Sequence, residues 1–374
     1  MCIRDSIDSI QNVADDYLER WAWFYPTQAL TAGRVASATE FEGLTQDSID
    51  GWIAFNRQSL ERIAALEATT SLDDRIDRQL LERQIRREIF RWGETEAHRT
   101  DSQTYSKAIN HGLTAVLVRS NLTAERKTEA TLERLLGLQI LCETAKRNLV
   151  DGRPIATAAS IRDIRSTADF SEGQLLAALE IGDDHPDREA FSLAAAQTAA
   201  DLRGLAAWLE DELRLSLDDA YGEERYARDL ALAYGDQMTP ELLERIALAE
   251  IETVRKLMEE LAREAWATDE TNFDDLVRPI LAEMEDHRAA NQEAFLQEFL
   301  DLIDRSRRFL EEHDLVDLPA HETLYTALSP SHFAGAAVGG VYSAGPFDPE
   351  AETLFYLPSV PDDAPEAAKD GFYR

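Results

Sequence analysis

The chain has 374 residues, with 72 Asp plus Glu against 38 Lys plus Arg and a formal charge of −34. Such a surface cannot track phosphates, so nucleic acid is excluded as a partner, and an anionic membrane is disfavoured for the same reason. With 44% hydrophobic and 29% charged residues it reads as a soluble globular chain, long enough for one large domain or two.

No run approaches the ~18 consecutive apolar residues of a membrane helix. Only five of the basic residues are lysine, Lys107, Lys127, Lys146, Lys256 and Lys369, so the charge balance reads as solubility rather than a cation site. Two cysteines, Cys2 and Cys142, rule out a disulfide framework.

Taken in order, Met1 to Ser6 fits no targeting pattern and reads as a non-native leader (residues 1–6). Trp21, Trp23, Phe24 and Tyr25, followed by Pro26, form an aromatic cluster that either packs on the helical body or lines a ligand cleft. Apolar residues then recur at helical spacing: Ile49, Trp52, Ile53, Leu60, Ile63 and Leu66, next Ile76, Leu80, Leu81, Ile85, Ile89 and Trp92, then Leu132, Leu135, Leu136, Ile140 and Leu141. Asn121-Leu122-Thr123 matches a glycosylation sequon, but Thr123 is better read as a helix cap. Arg188 to Leu215 is alanine-rich and helix-prone. Thr239-Pro240 starts a helix predicted to run to about Ala267. A further long helix is predicted from Phe273 to His313, with Pro279 in its first turns.

The pattern changes near Leu315. Seven of the 12 prolines fall between Pro319 and Pro365. Ala336–Ser343 and Thr353–Leu357 read as short strands around a Gly345-Pro346-Phe347-Asp348-Pro349 turn. The expected fold is mainly α: a large helical body over residues 7–315, then a proline-rich, β-containing segment over 316–374.

No His-Glu-x-x-His occurs. His321-Glu322-Thr323-Leu324-Tyr325 carries tyrosine where a second ligand would stand. His313, His321 and His332, with Asp314 and Asp317, match no zinc template and read as solvated loop residues. No catalytic residue and no metal ligand is therefore assigned within the chain.

Several segments, in order, resemble one bacterial family, the domain of unknown function 885, whose members look like zinc-dependent metallopeptidases of the gluzincin type. They are Asp16-Tyr17-Leu18 through Tyr25-Pro26-Thr27 to Thr31-Ala32-Gly33; Gly222 to Tyr226, with Tyr234-Gly235 and Met238 to Leu242; and Leu318-Pro319, Val341 to Phe347 and Thr353 to Leu357. The family's His-Glu-x-x-Pro-Gly-His matches nothing here.

The resemblance implies that the whole protein hydrolyses peptide bonds with zinc-activated water. It also implies that these residues are an N-terminal portion that lacks the zinc motif and is itself inactive, the frame continuing into the catalytic region. Zinc is then the cofactor, and a peptide the partner, of the longer protein only. Such an enzyme needs a strand whose edge can pair with an extended peptide, so Tyr342, Phe355 and Tyr356 are the candidate substrate-binding residues. The alternative is a helical binding or scaffold protein without catalysis. The compartment is bacterial, either cytoplasm or periplasm and beyond.

Overall fold

The computed structural model describes residues 9–67, 71–119, 121–266, 270, 272–284, 289–318, 324–329, 339–348, 352–359, 364–367 and 369. Among these are fourteen α-helices and one three-stranded sheet, the mainly α fold expected from the periodicity. The chain divides into two compact units, Met1–Arg225 with Tyr342–Thr353, and Tyr226–Val341 with Leu354–Arg374.

The first unit is built from α1 (Ile10–Phe24), α2 (Pro26–Thr31), α3 (Gln46–Ala65), α4 (Leu72–Ile89), α5 (Ala97–Thr100), α6 (Gln103–Leu117), α7 (Ala124–Asn148), α8 (Pro154–Gly173), α9 (Leu175–Ala178) and α10 (Arg188–Asp211). Side-chain caps set several starts: Ser9, Thr45, Ser71 and Thr123 each accept a hydrogen bond from the backbone N–H three residues on. Thr123 is thus the cap of α7.

The core joins faces of α1, α3, α4, α6, α7, α8 and α10 through residues such as Val13, Trp52, Ile85, Ile109, Leu138, Ile164 and Leu202. Two stripes differ from the periodic reading. In α7 the buried line is Leu135, Leu138, Leu141 and Cys142, whereas Leu136 and Ile140 face solvent. In α4 the stripe is exposed at Ile76 and Leu80, whereas Leu81, Ile85 and Ile89 turn toward the core. Hydrophobic spacing identifies a helix but does not choose between two faces when both carry leucines.

Two polar centres lie inside this unit. Around Glu88, one carboxylate oxygen accepts from the Tyr25 hydroxyl at 2.6 Å, the Trp52 indole at 2.8 Å and the Trp92 indole at 3.1 Å. The other accepts from Gln84 at 3.0 Å. Phe24 stacks on Trp52 at 4.9 Å, so Phe24 and Tyr25 of the aromatic cluster belong to the core. Trp23 lies outside it, half-exposed under the Arg20 guanidinium at 4.1 Å.

The second centre is Arg134, fully buried on α7. It donates to the carbonyls of Ala38 (2.6 Å), Gly112 (2.7 Å) and Ser37 (3.1 Å), and to the Thr27 hydroxyl (3.0 Å). That hydroxyl donates onward to Glu42 at 2.7 Å. Burial pulls the guanidinium down to about 10 and pushes the Glu42 carboxyl up, while each charge partly offsets the other's shift.

The second unit carries α11 (Glu223–Tyr234), α12 (Pro240–Trp266), α13 (Phe273–Met284), α14 (Gln292–His313), β1 (Leu324–Leu328), β2 (Gly340–Tyr342) and β3 (Thr353–Leu357), the terminal residues Glu223–Arg225, Tyr342 and Thr353 belonging to the first. α12 begins and ends close to the predicted span. The single helix expected over Phe273–His313 is two: α13 keeps Pro279 inside it, and a new start is capped by Asn291, whose side chain accepts from the Ala294 N–H at 2.9 Å. The sheet order is β1-β3-β2. β1 was not foreseen, although Leu-Tyr-Thr-Ala-Leu suits a strand.

Two outcomes are expected. Arg134→Met strands Glu42 in the core and should lower unfolding free energy by roughly 3–5 kcal/mol, read from urea denaturation at neutral pH. A loss below ~1 kcal/mol would show that the centre is dispensable. The second concerns His98, which is buried, has no hydrogen-bond partner on either ring nitrogen among the described residues and is held below its usual value by burial. A depressed folded value means that the unfolded chain takes up the proton first. Its contribution is therefore full above about pH 6.5 and is lost as pH falls through the folded value. The urea midpoint should drop between pH 7.5 and 5.5, and His98→Gln should flatten that drop; an unchanged slope would contradict the assignment.

Candidate functional site

A catalytic zinc needs three protein ligands within reach of one point. Among the described residues no group of three or more His, Cys, Asp or Glu side chains is placed to hold a metal ion. His321, Glu322 and His332 lie outside the described residues. His313 closes α14: its Nδ1 is 2.9 Å from the Phe309 carbonyl, and its ring lies tilted against that of Phe309, centroids 4.2 Å apart. Asp314, in the left-handed region at φ 50°, ends the helix.

The three candidate substrate residues fall on the sheet. Tyr342 ends the outer strand β2 and is half-buried, which pushes its hydroxyl up. Phe355 and Tyr356 are successive residues of the middle strand β3, so they point to opposite faces. Leu354 and Leu357 of the same strand are buried, which anchors it. The Ser329 N–H donates to the Leu357 carbonyl at 2.7 Å, fixing β1 beside β3. Among the described residues β1 and β2 each pair with β3 alone, so each leaves an outer edge. β1, with five residues, offers the longer one.

A second arrangement lies in the first unit and was not read from the sequence. The segment after β2 docks against the end of α2. The Phe347 N–H donates to the Ala32 carbonyl at 3.0 Å, and the Arg34 guanidinium sits 4.3 Å over the Phe347 ring. Gly345 must be glycine, since a Cβ there would lie 2.1 Å from the Ala32 carbonyl oxygen. Gly33 turns the chain at φ 102°, and its Cβ position would meet the Asp348 backbone nitrogen at 2.7 Å.

Beneath this contact, buried Arg119 donates to the Thr31 carbonyl at 3.2 Å and places Nη2 3.7 Å from the Asp348 carboxylate. Burial lowers the guanidinium, and Asp348 opposes that shift. The Asn121 amide also donates to Asp348. Thr31-Ala32-Gly33 and Gly345-Pro346-Phe347, over 300 residues apart, are thus one structural feature. A Gly after a short helix and a Gly-Pro-Phe-Asp-Pro turn are visible in sequence, but nothing in either shows that they meet. The arrangement is a clamp, with charge held by Arg119 and shape by two glycines.

Among the described residues no helix is long and apolar enough to cross a membrane. Compared with solved structures, the fold is similar to that of a provisionally assigned lipoprotein of unknown function from Shewanella oneidensis, with a TM-score of 0.70 at 14% identity. The similarity covers 98% of this chain and 67% of that one, so at this identity it shows a shared fold. No curated protein matches the sequence. The family described as bacterial protein of unknown function, DUF885, matches over residues 26–370. That match takes in the clamp, the Arg134 centre, the Glu88 centre except Tyr25, and the sheet, and the chain belongs to this family.

Proposed function

We propose that these residues form the helical, substrate-holding portion of a zinc-dependent peptidase, in which an extended peptide adds to the outer edge of β1 as a further strand. The observation that carries this reading is the five-residue edge strand next to β3, whose Phe355 and Tyr356 project on the two faces. Backbone pairing gives such a site affinity without sequence preference, and alternate side-chain positions supply selectivity. The ordered resemblance set out above supports the peptidase class. On this reading the zinc ligands would come from residues outside this sequence. The lipoprotein description of the Shewanella neighbour favours the exported alternative for the compartment.

A non-catalytic binding protein is the second reading. It is favoured by α12, much of whose apolar surface is exposed.

Binding is read by fluorescence anisotropy of labelled extended peptides with the 374-residue chain. Successive strand N–H groups point to opposite sides, so one of Tyr325→Pro and Thr326→Pro removes an outward donor. That variant should weaken binding at least tenfold, about 1.4 kcal/mol, with the helical circular dichroism unchanged. Phe355→Ala and Tyr356→Ala should each weaken it as well. Hydrolysis of the same peptides is assayed with the product of the uninterrupted gene. Turnover that a chelator abolishes and zinc restores supports the peptidase. Binding without turnover selects the second reading, and neither binding nor turnover overturns both.

A further inference from the structure

Between α4 and α6 the backbone of the first unit departs from regular helix three times in succession. α4 runs on into a turn of π-helix, Phe90–Glu94, closed by the Thr95 N–H on the Phe90 carbonyl at 2.8 Å. Glu96 follows in the left-handed region at φ 46°. α5 is then a single helical turn that carries His98, only 2% exposed. π-turns are rare and a left-handed non-glycine residue is strained, so surrounding contacts must hold the segment in place.

Those contacts lead away from α5 in one direction. The His98 carbonyl accepts from the Tyr105 hydroxyl of α6 at 2.8 Å, and the Arg99 carbonyl accepts from the Val150 N–H at 2.9 Å. Beyond Val150, the Gly152 N–H donates to the Arg214 carbonyl at 3.0 Å, and the Gly152 carbonyl accepts from the Ser216 N–H at 2.8 Å. α5, the connection between α7 and α8, and the stretch after α10 are thus paired in series, all inside the first unit.

His98 sits at the head of this series. A neutral imidazole has one N–H and one lone pair, and among the described residues neither meets a hydrogen-bond partner. A proton would add a second unmet donor and a charge, which a buried site tolerates only by letting water in. Three charges act on the ring: Glu96 and Arg99 from its own turn, and Asp50 of α3. Asp101, next along, accepts from the Gln103 N–H at 3.1 Å. The other elements against α5 supply no countercharge. The π-turn presents the Trp92 ring at 6.1 Å, with Arg91 and Glu94 exposed. α6 presents Tyr105, which burial keeps protonated, and its Lys107 is exposed. In α7, Asn148 donates to Tyr105, while Lys146 and Arg147 bond to Glu143 of the same helix.

We propose that His98 is an acid-sensitive trigger: on taking up a proton its ring leaves the core with α5, turning about Glu96, and the release of Val150 loosens the pairing of Gly152 with Arg214 and Ser216. In the open turn the imidazolium lies in water beside the exposed carboxylates of Glu96 and Asp50. The proposal concerns the first unit alone and stands whether or not the β1 edge binds peptide. Burial holds the closed ring below its ordinary value, whereas the open ring titrates near pH 6.5. The closed turn is therefore fully favoured above about pH 6.5, and opening grows as pH falls. With the closed ring neutral over that range, opening rises about tenfold from pH 7.5 to 5.5.

Hydrogen exchange of the 374-residue chain at these two pH values, corrected for intrinsic chemical rates, tests this. The amides of Asp101, Val150 and Gly152 should lose about tenfold in protection on acidification. They should exchange faster than the core of α10 at both pH values and ignore dilute urea, because a local opening exposes little surface. His98→Gln and His98→Phe, one polar and one apolar, should each abolish the acid response at these amides. A pH-independent rate there, or an acid response that survives in either folded variant, overturns the proposal. So does exchange that matches α10 in rate and urea dependence, which would mean global unfolding alone. Loss of protection at Asp101 with Gly152 still protected overturns the series.

Discussion

One fully buried guanidinium organises the first unit. Arg134 reaches four acceptors on three other segments, the carbonyls of Ser37 and Ala38, that of Gly112 in α6, and the Thr27 hydroxyl in α2. An arginine in a core is costly unless each donor is used and a countercharge is near. Here four of the five N–H groups donate to named acceptors, and Thr27 relays the guanidinium to Glu42. A leucine at this position would pack but could not donate to those carbonyls, two of which lie in the short 3-10 turn Val35–Thr39 between α2 and α3. The centre thus explains why the connection between α2 and α3 is ordered, and with it the end of α2 where the clamp forms.

The clamp is the structural meaning of two weak sequence features. Neither Gly33 nor Gly345 is informative alone, but their backbones approach too closely for any side chain. Arg119 supplies the countercharge for Asp348 from beneath. The same kind of solution serves three times: a buried polar group, Glu88, Arg134 or Arg119, gathers donors or acceptors from segments distant in sequence. In a chain with so large an excess of acid, arginines inside the helical unit hold carboxylates where helix packing alone would leave the connections loose.

The legible part of this protein was the part governed by local chemistry. Helix starts at Thr123 and Thr239-Pro240 follow from capping and from proline at the first turn, and the structure places them there. The β-compatible runs around Tyr342 and Phe355 are strands for the same reason. Less legible was whatever depends on which surface a neighbour covers. Leu136 and Ile140 look like core residues in sequence and face solvent, whereas Arg134 looks like surface and is buried. The break between α13 and α14 was hidden because Phe273 to His313 keeps a helical apolar rhythm on both sides of it. As for the candidate site, strand propensity picked out Tyr342, Phe355 and Tyr356 as strand residues, but not that β3 is the middle strand, since sheet order is set by pairing across long separations.

The Glu88 centre makes the protein its own reporter of one unit. Five of the six tryptophans, at positions 21, 23, 52, 92 and 208, fall within Met1–Arg225, and only Trp266 lies beyond. Trp52 and Trp92 donate their indole N–H groups to a single buried carboxylate, an environment that bulk water would replace entirely on unfolding. Intrinsic emission therefore follows the loosening of that carboxylate's cradle, while the second unit could rearrange or melt almost without optical trace. A fluorescence melt and a calorimetric one need not coincide in this protein, and the gap between them measures how independently the two units are held.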